Sequence, residues 1–143
     1  MRPWFAGWGF RAAAQQSSFA SCWQQACQPL ERAPGHWTFA LLDSKSQTPA
    51  SSALKNWAAV AMPQAVWLAC PEAAIRQVAT PSVSARLLLR FATGSVSEAL
   101  ALHAARAHAD SRLVLHRIVS ADRQATLAVA GPPLHLLETG GLS

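Results

Sequence analysis

The sequence predicts a small α+β domain: one antiparallel sheet with two helices on one face, and a further strand at its C-terminal end. Three observations carry that prediction. Residues 37–70 and 86–119 read as one strand–helix–strand unit written twice. Each of the two helices opens on a cap, Thr48-Pro49 in the first and Ser95-Val96-Ser97-Glu98 in the second. The composition, 51% apolar and only 13% charged, is that of a chain that buries a core, not of a disordered one. With 143 residues there is room for one domain and a tail.

Residues 1–35 show no sustained period. Trp4, Phe5, Trp8 and Phe10 sit near the start, a Gln/Ser/Ala stretch follows, and Pro29, Pro34 and Gly35 mark a boundary. The segment reads as an N-terminal arm, partly ordered or used for targeting. As a signal peptide it is poor, because Arg11 breaks an apolar run that is already short. The domain proper is placed at 36–131 and a C-terminal tail at 132–143.

Within the domain, Trp37 to Leu42 is apolar on both faces, as in a central strand. Thr48 caps a helix in which Pro49 takes the first position and Ala53, Leu54, Trp57 and Ala61 form one face. Pro63 ends that helix, and Ala65 to Cys70 is the second strand. After a linker at 71–85, in which Glu72 to Val78 can hold a helical turn, Arg86 to Phe91 alternates. Leu87, Leu89 and Phe91 face one way, while Arg86 and Arg90 flank Leu88 on the other. A second helix near 96–108 buries Val96, Ala99, Leu100, Ala104 and Ala107. Arg112 to Val119 and Ala125 to Gly131 complete the strands, and Pro132-Pro133 stops the last.

The chemistry-bearing residues are sparse. His103 and His108 are five apart on one helix, so they do not share a face as metal ligands would, and the other histidines are isolated. Cys22, Cys27 and Cys70 form no C-x-x-C and read as free thiols. The seven carboxylates are singletons, and no nucleophile-elbow, Walker or dinucleotide-binding motif occurs. No metal, cofactor or enzymatic activity is expected. The net charge of +5 is a mild field, and without interleaved aromatics on a strand it predicts no specific nucleic acid. No stretch has the length of a membrane span.

What remains is binding. Arg86 and Arg90 share the outer face of one strand, and Trp67 or Trp37 is expected on the same sheet face. Aromatic rings that stack on a sugar or a base, with forked guanidinium donors beside them, suit a glycan or single-stranded nucleic acid. These four residues are the sequence's candidate ligand site.

Two segments also carry a family resemblance. His36-Trp37-Thr38-Phe39-Ala40-Leu41-Leu42-Asp43-Ser44 after Pro34-Gly35, and Leu87-Leu88-Leu89-Arg90-Phe91-Ala92-Thr93-Gly94-Ser95 with Glu98-Ala99-Leu100, resemble the opening strands and helix starts of SPOR domains over roughly residues 36–119. Ala40 stands where that family often has Gln, and Arg86-Leu87 where it often has an aromatic. The resemblance implies a ferredoxin-like βαββαβ fold and non-catalytic binding of peptidoglycan glycan strands in a cell-division or envelope setting, with a periplasmic location. The alternative is a cytoplasmic ferredoxin-like module for protein–protein assembly or regulation.

Overall fold

The computed structural model describes residues 2–30, 35–76, 78, 80 and 95–132. In chain order the elements are β1 (Pro3–Phe10), α1 (Gln16–Leu30), β2 (His36–Leu42), a 3-10 turn (Asp43–Lys45), α2 (Pro49–Ala61), β3 (Val66–Cys70), α3 (Glu72–Ile75), α4 (Val96–Ala104), β4 (Arg112–Val119) and β5 (Ala125–Gly131). The α+β class holds, with five strands in one sheet, and the fifth, C-terminal strand is where the sequence puts it.

The sheet order is β3-β2-β1-β5-β4. β1, β2 and β3 run parallel, whereas β5 is antiparallel to β1 and β4 antiparallel to β5. The sheet is therefore mixed, where the sequence predicted an antiparallel one. The cause lies in the connections. β1 reaches β2 through α1, and β2 reaches β3 through α2; a strand that returns through a helix arrives parallel. β4 and β5 are joined by a short turn and so form a hairpin.

The segment predicted to be an arm supplies the centre of the sheet. β1 is buried along nearly its whole length and lies between β2 and β5. Its sequence, PWFAGWGF, contains a Pro and two Gly and lacks polar alternation, because both faces are covered. α1 presents Ser18, Cys22, Ala26 and Leu30 at four-residue spacing, with Phe19 beside them, all buried. That is a helical stripe written mostly in small residues.

Helices cover both faces, not one. α1 and α2 pack on the face that carries Trp4, Ala6, Trp8, Trp37, Phe39, Leu41, Leu127 and Val129. α3 and α4 cover the opposite face, with Phe5, Ala40, Leu42, Cys70, Ala128 and Ala130. The first layer is aromatic: Trp4 stacks on Trp37 with ring centroids 5.8 Å apart, and Trp8 makes edge contacts with Phe19, Phe39 and Trp57 at 5.7, 5.5 and 5.6 Å. The predicted third strand at 86–92, and with it Leu89, lies outside the described residues.

The helix caps differ in detail. At α2 the box is complete: Ser51 N–H donates to Thr48 Oγ1 at 3.2 Å, and Thr48 N–H donates to Ser51 Oγ at 3.1 Å. At α4 the Ser95 hydroxyl accepts Glu98 N–H at 3.4 Å, while Glu98 Oε2 accepts Arg117 N–H at 2.9 Å. The Glu98 carboxylate is thus used across the fold, on β4.

α4 is buried on nearly every side, Leu100 included, and it lies directly on β1. A Cβ added at Gly7 would collide with Ser97 O and come within 2.6 Å of Ala101 N, both backbone atoms of α4. A Cβ added at Gly9 would meet the Thr126 hydroxyl at 2.6 Å, a side chain that can rotate away. Gly7→Ala is therefore expected to destabilise the protein by about 1–3 kcal/mol or more through overpacking, and Gly9→Ala by clearly less. Thermal or denaturant unfolding of both variants checks this. The opposite order would mean that α4 does not rest on Gly7.

Candidate functional site

Because β1, β2 and β3 run parallel, Phe10, Leu42 and Cys70 finish at one rim of the sheet. In open sheets of this kind the rim at the carboxyl ends of the strands is the usual place for a ligand. Two loops build it here: Arg11–Gln15 after β1 and Asp43–Thr48 after β2. The chain from β3 enters α3 beside them. The N-terminus of α4 also reaches this end, since Ser97 is the α4 residue nearest Gly9.

Hydrogen bonds stitch the rim together. Lys45 Nζ donates to the Phe10 carbonyl at 2.7 Å, with the ammonium 5.6 Å from the centre of the Phe10 ring. Arg11 N–H donates to Gln124 O at 2.9 Å, and Arg11 O accepts Ala14 N–H at 3.1 Å. The Arg11 backbone is thus held on both sides while its side chain is exposed. In the β2 loop, Ser46 Oγ donates to Asp43 O at 2.8 Å and Thr48 Oγ1 to Lys45 O at 2.9 Å. Ser44 Oγ donates to Glu72 Oε1 at 3.1 Å, which ties this loop to α3.

A second polar network fixes α1 against the β4–β5 turn. Asp122 accepts from Ser18 Oγ and Ser120 Oγ, each at 2.6 Å, and from Gln124 N–H at 3.1 Å. Ala121 N–H donates to Ser21 Oγ at 3.0 Å. Hydrogen bonds from Ser120, Ser18 and the Gln124 amide hold the Asp122 carboxyl below its ordinary value. Beside it, burial first and the Asp122 charge second push the Cys22 thiol up to about 12, so it stays protonated and unreactive. Burial raises Cys70 as well, with Arg106 opposing, and burial and then Arg106 lower His103.

The third polar group is Glu98, fully buried, with His116 Nδ1 3.7 Å from its Oε2. Its contact falls where the β4–β5 register slips between Leu115 and Ile118. Glu98 supplies an acceptor to the Arg117 N–H at that irregularity, a structural duty that accounts for a buried carboxylate. Among the described residues no group of three or more His, Cys, Asp or Glu is placed to hold a metal ion, and no helix is long and apolar enough to cross a membrane.

The predicted ligand site does not assemble as expected. Trp37 is 7% exposed, wedged between Trp4, Trp23 and Phe39 under α1 and α2, and it cannot stack on a sugar. Trp67 is half-buried on the edge strand β3, edge-on to Phe39 at 5.5 Å, in the same layer. Arg86 and Arg90 lie outside the described residues. The sheet face that a glycan would need is not open: α1 and α2 cover the face of these tryptophans, and α3 and α4 cover the other. Sequence reading missed Arg11 and Lys45 at the rim. The signal that could have found them was Gly7-Trp8-Gly9, two close-approach glycines in an apolar run that ends in a cation.

Fold and rim together define the class: an α+β domain with a helix-covered mixed sheet and a polar rim at the carboxyl ends of three parallel strands. The family model described as "Cobalamin synthesis G C-terminus" matches residues 4–130, from β1 through β5. The chain belongs to that family. Among solved structures it is similar to CobE, described as a protein from the cobalamin (vitamin B12) biosynthetic pathway, at 20% identity and a TM-score of 0.68, over 91% of this chain and 90% of that one. It is also similar to the cobalamin biosynthesis protein chiG from Agrobacterium tumefaciens, at 23% identity and a TM-score of 0.58, over 90% of this chain and 98% of that one. No curated protein matches it in sequence. These findings overturn the SPOR resemblance, and with it peptidoglycan binding and the cell-division setting; the ferredoxin-like assembly module falls too. The order of elements that suggested them is one that unrelated α+β folds share.

The Asp122 network yields a pH prediction. A carboxyl whose value is depressed in the fold stabilises above its ordinary value of 3.8, and that contribution is lost as pH falls through the lower, folded value. Wild type is therefore expected to exceed Asp122→Asn in stability at neutral pH, with the gap closing only in acid below the ordinary carboxyl range. Unfolding midpoints of both proteins across pH 2–7 check it; a gap independent of pH would assign the effect to something other than the charge.

Proposed function

We propose that this chain serves cobalamin biosynthesis by holding a macrocyclic, carboxylate-bearing intermediate at the rim formed by the carboxyl ends of β1, β2 and β3. The observation that carries the reading is the family match over residues 4–130, which spans every strand of the sheet. Both similar solved structures are of proteins described as belonging to cobalamin biosynthesis.

The rim supports a holding role more than bond-making. Several of its polar side chains are engaged in the scaffold: Lys45 on the Phe10 carbonyl, Ser44 on Glu72, and Thr48 and Ser51 on each other's backbone. A general acid or base must instead reach the proton it moves. The role proposed is therefore non-catalytic, and the location that goes with it is the cytoplasm.

Deletion of the coding gene tests the reading. The expected result is a strain that needs added cobalamin for a cobalamin-dependent growth condition and is restored by the wild-type gene. Undiminished cobalamin synthesis in the deletion strain would sink it.

A further inference from the structure

We propose that Arg11 is the residue that binds a carboxylate of the ligand, and that Lys45 positions it. The inference rests on the reading that the ligand is a carboxylate-bearing macrocycle, and it adds the contact that would select for free carboxylates.

The argument begins with what holds Arg11. It is the first residue beyond β1, the central strand, at the point where the neighbours change from parallel β2 to antiparallel β5. The carbonyl before it accepts Lys45 Nζ at 2.7 Å, its own N–H donates to Gln124 O at 2.9 Å, and its own carbonyl accepts Ala14 N–H at 3.1 Å. Three bonds, drawn from the β2 loop, the β4–β5 turn and the β1 loop, fix one backbone position.

The side chain on that fixed backbone is exposed, and among the described residues it has no carboxylate within ion-pairing distance. A structural arginine normally answers an acid or covers apolar surface. This one answers no acid among the described residues, yet its backbone is held by three hydrogen bonds. A guanidinium so mounted presents forked donors that match a carboxylate in two parallel hydrogen bonds.

Lys45 supplies the second half of the device. Its ammonium lies against the Phe10 ring and carbonyl, so its charge is directed at the strand end that carries Arg11. Removing it frees the Phe10–Arg11 peptide, and the guanidinium loses its fixed origin.

The test is equilibrium binding followed through the absorbance of the corrin ring, with two probes: cobyrinic acid, whose side chains are free carboxylates, and cobinamide, in which they are amides. Wild type is expected to bind cobyrinic acid more tightly than cobinamide. Arg11→Ala should weaken cobyrinic acid by about tenfold or more, the loss of one charge-assisted pair, and leave cobinamide unchanged. Lys45→Met should weaken cobyrinic acid less. In the double variant the two losses should fall short of adding, since Lys45 acts through Arg11. Additive losses would make Lys45 an independent contact and overturn its positioning role. Equal binding of both probes by wild type and by Arg11→Ala would overturn the assignment of Arg11 while leaving the ligand class intact. Failure of wild type to bind either probe would remove the holding role itself. Melting temperatures measured alongside show whether each variant is folded.

Discussion

Everything in this fold depends on how closely α4 approaches β1. Gly7 leaves room for the backbone of α4 at Ser97 and Ala101, and no side chain fits between them. That approach lets one strand, β1, be buried on both faces: Trp4, Ala6 and Trp8 enter the aromatic layer, while Phe5 and the glycines face α4. The close contact makes β1 the centre of the sheet and brings the N-terminus of α4 to the carboxyl end of the strand.

The two layers are built differently for the same reason. On the α1/α2 face, tryptophan and phenylalanine rings fill a deep space and meet edge to face, the arrangement ring quadrupoles favour. On the α4 face the space is thin, and alanines dominate: Ala40, Ala128 and Ala130 on the sheet, and Ala99, Ala101, Ala104 and Ala105 on the α4 side. Among the described residues the buried indole N–H of Trp8 finds no acceptor, a cost borne by packing on the aromatic side. On the thin side, polar groups at the helix start, Ser95, Ser97 and Glu98, are buried but engaged.

Rigidity at the rim follows from this frame. Arg11 and Lys45 belong to different loops, but both loops leave neighbouring parallel strands and are bonded to each other through the end of β1. The Asp122 network secures the other flank by binding α1 to the β4–β5 turn. A ligand arriving at the rim meets loops that are already ordered, so less ordering entropy opposes binding.

Local chemistry in the sequence determined the α+β class, the α2 cap at Thr48, the span of α2, and four strands read at 37–42, 65–70, 112–119 and 125–131, the first two of which the structure shifts by one residue at their starts. Each of these is encoded within a few neighbouring residues. Tertiary structure alone decided that Pro3–Phe10 is the central strand. Such a strand carries no alternation, and its glycines read as breakers until a helix is seen resting on one of them. It also decided that Trp37 is core, because a tryptophan on a strand looks the same whether the next layer is a ligand or another tryptophan. Arg11 and Lys45 stand 34 positions apart in the chain (45 − 11), with no motif to join them. Only parallel pairing of β1 with β2 brings the ends of their strands, and so Lys45 and the Phe10–Arg11 peptide, to one place.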